Sequence, residues 1–234
     1  MKKPKYPGKS VFIMTLQSIF LKNLLRSKLI TAKIELIIEM LDYFKWLQKH
    51  FGHIRISNSR EKNWQVMSKY MHGSRYQGVE FGVAWGYLTW WWFKNSSDLI
   101  ESWHGFDRFT GLPRDWRNFK KGTFDTGGNV PDIQDNRIIW YKGDLEEQIQ
   151  QLQIANERDY KVIVFFDLDI FEPSLIGWQN VKHSLKNGDI LYFDEAFDKD
   201  ERKLLDEFVL PSGEFEFVGC SWLTLSLRVK QIYS

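Results

Sequence analysis

The sequence has one cysteine, Cys220, in 234 residues. That excludes an intrachain disulfide and any thiolate-bound metal cluster, and it fits a reducing, cytoplasmic setting. Neither sign of charge is in excess: 32 Lys and Arg stand against 30 Asp and Glu, a net +2. A dedicated nucleic-acid binder usually carries a strong basic surplus, so no nucleic-acid partner is expected. No apolar run is long and clean enough to span a bilayer. The longest, Val11 to Leu25, follows the basic Lys2, Lys3 and Lys5 and is interrupted by Thr15, Gln17, Ser18 and Lys22. It also lacks a small-residue cleavage site, so neither a transmembrane segment nor an export signal is expected. Its apolar side is read as covering its own domain. There is no internal repeat and no G-x-G-x-x-G dinucleotide fingerprint.

Aromatic residues are plentiful. With 11 Trp, 9 Tyr and 18 Phe, and 43% of residues hydrophobic, the chain can bury a core, which excludes disorder. At roughly 150 residues per domain, the length suits one large α/β domain with an appendage. Residues 1–75 read as a helical segment, a candidate cover for a site or a homodimer contact. Ile34, Ile37, Ile38, Leu41, Phe44 and Leu47 recur at helix spacing with Thr31 as the expected N-cap, and Ser59 or Asn58 is placed to cap a second helix carrying Trp64, Met67 and Tyr70.

Residues 76–234 follow a different pattern, with short apolar runs separated by helical or loop stretches. Expected strands are Gly78–Phe81, Ser102–Phe106, Arg137–Tyr141, Val162–Phe166 and Ile190–Phe193, then Phe215–Gly219 and Leu223–Val229. Val162–Phe166 is apolar throughout, the mark of a strand buried on both faces in a parallel sheet. The last two runs are too close for a crossover helix and are expected to pair antiparallel. The predicted fold is α/β: a Rossmann-like, mostly parallel sheet with an antiparallel C-terminal hairpin, the layout of class I methyltransferases.

Chemistry-bearing residues fall where these strands end, the usual ligand edge of an open α/β sheet. Glu80-Phe81-Gly82-Val83-Ala84-Trp85-Gly86 joins a strand to a helix, and its glycines permit a tight turn and close approach of a ligand. Asp107 ends the second strand, where a carboxylate can accept two hydrogen bonds from a ribose diol; a turn or cap is the alternative. Asp144 follows the third strand and can meet an adenine amino group or cap a helix over Glu146–Ala155. Phe166-Asp167-Leu168-Asp169 and Phe193-Asp194-Glu195 end two further strands. Neighbouring strand ends lie about 5 Å apart, so Asp167, Asp194 and Glu195 are expected to crowd. An all-oxygen cluster of that kind suits Mg²⁺ or Mn²⁺; helix caps are the alternative. The irregular stretch Thr110–Asn136, with Arg114, Trp116, Arg117 and Phe119, is longer than most loops and reads as a cover over a substrate.

Taken in order, E-F-G-V-x-x-G, G-F-D-R-F-T-G-L-P, K-G-D-L, D-L-D-I-F-E-P-S-L and G-D-I-L-Y-F-D-E resemble the TylF/MycF, or macrocin-type, S-adenosylmethionine (SAM)-dependent O-methyltransferases. The resemblance spans about Tyr76 to Phe208 and is most specific at Gly105–Pro113 and Asp167–Ser174. It implies SAM bound by Glu80, Gly82, Val83, Gly86, Asp107 and Asp144. It also implies Mg²⁺ held by Asp167, Asp194 and Glu195, with Asp167 or Asp169 as the base. The acceptor would be a hydroxyl of a sugar or other polyol. Many relatives have Asp-Asp where Asp194-Glu195 stands, and often Tyr where Phe171 and Ala196 or Phe197 stand. A metal-dependent glycosyltransferase, using Asp167-Leu168-Asp169 as its D-x-D, is the alternative enzyme, but it leaves the Glu80–Gly86 and Gly105–Pro113 elements without a role. A catalytically silent binding protein on the same fold is the third reading.

Overall fold

The computed structural model describes residues 28–233, so the Val11–Leu25 run lies outside the described residues. The chain divides into two compact units between Lys49 and His50. Helix α1 (Lys28–Phe51) makes up most of the described part of the first. It begins before Thr31, which therefore lies inside the helix and is not its N-cap. Half of its expected apolar stripe is open: Ile37, Ile38 and Leu41 are 52–56% exposed, Ile34 and Phe44 are half-buried and Leu47 is buried. Among the described residues, no helix is long and apolar enough to cross a membrane.

The second unit is built on a seven-stranded sheet in the order β3-β2-β1-β4-β5-β7-β6. Its strands are β1 (Tyr76–Phe81), β2 (Ile100–Asp107), β3 (Ile138–Lys142), β4 (Lys161–Phe166), β5 (Ile190–Phe193), β6 (Gly213–Cys220) and β7 (Leu225–Ile232). The first five are mutually parallel, and β7 runs antiparallel between β5 and β6. The expected class I layout is therefore present. Val162 to Phe166 and all of β5 are buried, as continuous apolar strands in a covered parallel sheet should be.

Five short α-helices are described in this unit: α2 (Arg60–Tyr70), α3 (Tyr87–Ser96), α4 (Leu145–Gln148), α5 (Phe171–Val181) and α6 (Lys199–Leu204), the last widening into a π turn at Leu205–Val209. Helix α4 is shorter than Glu146–Ala155. It passes through a single 3₁₀ turn at Ile149–Gln151 and stops, and the Gln77 side chain then bonds the Gln153 carbonyl. Ser59 caps α2, accepting from the Lys62 N–H, as expected. Trp64 and Met67 on α2 join Trp91 and Trp92 on α3, Trp103 on β2 and Phe165 on β4 in one buried cluster. Burying each such side chain contributes about 1.5–3 kcal/mol. The Trp90-Trp91-Trp92 run is thus mainly packing, with only Trp90 substantially exposed.

Strand register sets up the site. Phe106, Phe81, Phe166 and Phe193 are paired across β2-β1-β4-β5. Their rings touch in sequence, with centroids 5.6, 5.5 and 5.0 Å apart. The next residue on each strand is Asp107, Gly82, Asp167 and Asp194. Backbone bonds continue the ladder past the row: Gly82 N–H to Phe106, Asp167 N–H to Phe81 and Asp194 N–H to Phe166. Three carboxylates and one glycine therefore stand side by side on the carboxyl edge of the sheet.

Candidate active site

The loop after β1 is held in a conformation that L side chains rarely adopt. Gly82, Ala84 and Gly86 have φ of +90°, +47° and +75°. A Cβ at Gly82 would collide with the Asp167 carbonyl, and one at Gly86 would come within 2.7 Å of Pro131. The close approach that these glycines permit is, in this structure, made by the protein's own β4 end and by the long loop.

Asp107 braces that loop. Its Oδ2 accepts the Val83 and Ala84 N–H groups, each at 2.8 Å, and its Oδ1 accepts the Phe109 N–H at 2.5 Å. An ionised carboxylate offers about four lone-pair sites, so capacity remains for a diol. Glu80 sits behind the loop, 1% exposed. Its Oε2 accepts Thr89 Oγ1 of α3 and, at 2.7 Å, Trp103 Nε1 of β2. Glu80 thereby ties three elements together beneath the loop, and burial pushes its carboxyl up to about 8. Val83 is buried. Asp144 occupies the N-cap position of α4 without capping it; its carboxylate pairs with Arg108 at 3.0 Å and is mostly exposed.

At the other end of the row, Asp167 and Asp169 are half-buried, and no described group donates a hydrogen bond to either carboxylate. Burial, with Asp194 and Asp169 nearby, holds the Asp167 carboxyl well above its usual range. Burial, with Asp194 and Asp198, pushes Asp169 up to about 7. Asp169 also has φ +61°, a strained setting for a non-glycine residue and one that clusters at functional sites.

Asp194 is placed differently. Tyr192 donates its hydroxyl to Asp194 Oδ1 at 2.5 Å, and Arg60 of α2 pairs with Asp194 Oδ2 at 2.9 Å. The other Arg60 nitrogen faces Glu195 at 3.9 Å. Burial pushes Asp194 up, while Arg60 and Tyr192 pull it back. For Arg60, burial acts downward and is outweighed by Asp194, Asp167, Tyr192 and Glu195. The Glu195 N–H is taken by Glu201, an acid buried inside α6 whose other oxygen has no hydrogen-bond partner.

The expected divalent-cation site is not seen at these residues. Among the described residues, no three acidic, His or Cys side chains are arranged to hold a metal ion. Asp194 Oδ1 is taken by Tyr192; its Oδ2 accepts no hydrogen bond but lies 2.9 Å from the Arg60 guanidinium, which also faces Glu195. These residues do not fit a resident Mg²⁺ or Mn²⁺.

The stretch Thr110–Asn136 is knit into place. Leu112 and Gly122–Thr123 exchange backbone bonds, as do Trp116 and Phe119, and Lys142 Nζ holds the Gly128 carbonyl. A line of rings runs from the glycine loop outward: Trp85 edge-on to Phe124 (6.1 Å), Phe124 to Phe119 (5.3 Å) and Phe119 stacked on Trp116 (5.6 Å). The Arg117 guanidinium lies over Trp116 and Phe197, and its Nε bonds Asp198 at 2.6 Å. This ties the loop to the segment that follows β5. Phe171 points elsewhere, packed on Phe208 beneath Lys203.

The sequence reading missed Arg60 and Glu201. A cation at the first turn of a helix opposes the helix dipole. Arg60 follows directly on the capping Ser59, and that was the available sign that it answers to carboxylates elsewhere. Glu201 carries no comparable signal in the sequence.

No family model matches the chain, and no curated protein matches it in sequence. Among solved structures, the chain is similar to CalS11, a calicheamicin methyltransferase, at 16% identity and TM-score 0.53, covering 97% of this chain and 94% of that one. It is similar to an apo structure of the same enzyme, described as a TDP-rhamnose 3′-O-methyltransferase, at 18% identity and TM-score 0.50, covering 86% and 95%. It is also similar to the O-methyltransferase NovP, at 14% identity and TM-score 0.51, covering 73% and 78%. What these likenesses establish is the fold, a class I methyltransferase sheet with its antiparallel C-terminal hairpin.

Proposed function

We propose that this protein is a SAM-dependent O-methyltransferase acting on a hydroxyl of a sugar-like acceptor. The observation that carries the reading is the strand-end row. It sets a braced glycine loop (Gly82–Gly86 with Asp107) beside two accessible carboxylates without described hydrogen-bond donors, Asp167 and Asp169. Its five motifs, in order, resemble the macrocin-type enzymes, and two of the solved structures with this fold are of an enzyme described as methylating a TDP-sugar.

Bound SAM would supply an electrophilic methyl on a sulfonium cation. The donor set fits such a ligand: Gly82, Val83 and Gly86 line the place for its methionine end, Asp107 keeps lone pairs for the ribose, and Arg108 with Asp144 borders the place for its base. The acids that follow β4, where ionised, favour a neighbouring cation electrostatically. Asp169 is the group we assign to take the acceptor's proton, with Asp167 beside it as the alternative; a positioned base typically contributes 10²–10⁴-fold. The rings of Trp85, Phe124, Phe119 and Trp116 offer faces on which a sugar can stack, an arrangement aromatic rings favour for their rigid apolar area.

The reading is tested by incubating the protein with methyl-labelled SAM and a panel of free and nucleotide-linked sugars. Label on an acceptor oxygen, with the mass gain of one methylene, is the expected result. Transfer of a glycosyl group from the nucleotide sugar instead would make the chain a glycosyltransferase.

A further inference from the structure

We propose that Arg60 stands where the resemblance implies a divalent metal, so that the centre of this protein runs on a fixed guanidinium. The inference rests on the methyltransferase reading for its setting, but the geometry that carries it does not. Helix α2 is fixed in place by the Ser59 cap, by Trp64 and Met67 in the core and by the Asn63 bond to Thr224 at 2.9 Å. That packing delivers Arg60 to the carboxyl end of β5. There it meets Asp194 at 2.9 Å and Glu195 at 3.9 Å.

Two of the three side chains that would ligate a cation thus already face a positive charge. A guanidinium cannot lose its proton in a protein and presents five donors in a planar fork. Here the charge is covalently part of the chain, so neither a chelator nor a change of pH removes it. A divalent ion at the same place would be repelled by it and would have to strip Asp194 of its partner. The Arg60 side chain is 34% exposed, which leaves donors open toward an acceptor oxygen held beside Asp167 and Asp169. Arg60 then orients the acceptor hydroxyl, and the two β4 acids are left to handle its proton.

The test uses Mn²⁺ as the probe, followed by electron paramagnetic resonance on the full-length wild type and on Arg60→Ala and Arg60→Gln. Thermal melts select the variant that stays folded. The wild type should bind Mn²⁺ no tighter than nonspecifically. The folded variant, with Asp194 and Glu195 freed beside the open Asp167, should gain at least a tenfold tighter site. One tight Mn²⁺ in the wild type would overturn the proposal, and so would a folded variant with no gain, because the guanidinium would then not be what excludes the metal. SAM titrated calorimetrically in excess EDTA separates the two readings. Loss of SAM binding to the untreated wild type counts against the methyltransferase assignment alone, whereas binding that EDTA abolishes counts against the guanidinium centre.

Discussion

Asp107→Ala removes the acceptor of three backbone N–H groups at 2.8, 2.8 and 2.5 Å. A hydrogen bond to a charged group contributes about 1.5–3 kcal/mol. The carboxylate is only half-buried, so water replaces part of what is lost, and about 2–4 kcal/mol is the expected cost for the set. The loss falls on a loop that also holds Ala84 at φ +47°, a conformation that costs of order 1–3 kcal/mol and persists only while its surroundings enforce it. Without Asp107 the loop should relax away from that shape. For a unit of this size, each kcal/mol moves the melting temperature by roughly 2–4 °C, so a fall of about 4–16 °C is expected by differential scanning calorimetry. SAM affinity, measured by titration calorimetry, should weaken by more than about tenfold, since 1.4 kcal/mol suffices for each decade. Asp107→Asn, which keeps one acceptor oxygen, should fall between. An unchanged melting temperature together with unchanged SAM affinity would refute the brace.

Four further outcomes rest on the same geometry. Gly82→Ala forces a side chain into the Asp167 carbonyl at φ +90°, so the variant should melt lower and bind SAM poorly, whereas Trp85→Ala should leave SAM affinity within about twofold and raise the acceptor KM, as read by labelled-methyl transfer. Asp169→Asn should cut kcat by about 10²–10⁴ with SAM affinity retained. Glu80 should make stability fall as pH rises: the unfolded carboxyl loses its proton near 4.5, but the folded one keeps it to about 8. Between those values the folded state binds more protons, so this contribution is complete below pH 4.5 and is lost towards pH 8; Glu80→Gln should flatten that slope in urea titrations at pH 5 and pH 8.

Much of this was legible in the sequence because the relevant signals are local. A short run as rich in Val, Ile and Phe as Val162–Phe166 favours a strand covered on both sides, and the short spacing of β6 and β7 leaves room only for an antiparallel pair. The acids at strand ends could be found one at a time for the same reason. Their alignment could not, because it depends on the register that puts Phe106, Phe81, Phe166 and Phe193 in one row. Closeness of Asp167, Asp194 and Glu195 along the sheet edge was foreseen, but a cation from a helix more than a hundred residues earlier in the chain was not, and Arg60 is the charge that faces two of them. Asp107 was read as facing a ribose or as a turn or cap residue; its three amide bonds are of the second kind and arise from loop conformations that no spacing encodes. The expected helix over Glu146–Ala155 ran too long because Leu152–Ala155 carries no Gly or Pro, whereas the Gln153 carbonyl is taken by the Gln77 side chain.

The most direct measurement of the central claim is titration calorimetry of the purified protein with SAM, set beside nucleotide sugars with and without Mn²⁺. One molecule of SAM per chain, bound without added metal and lost in Gly82→Ala, is the predicted result. No heat with SAM, together with Mn²⁺-dependent binding of a nucleotide sugar, would contradict it.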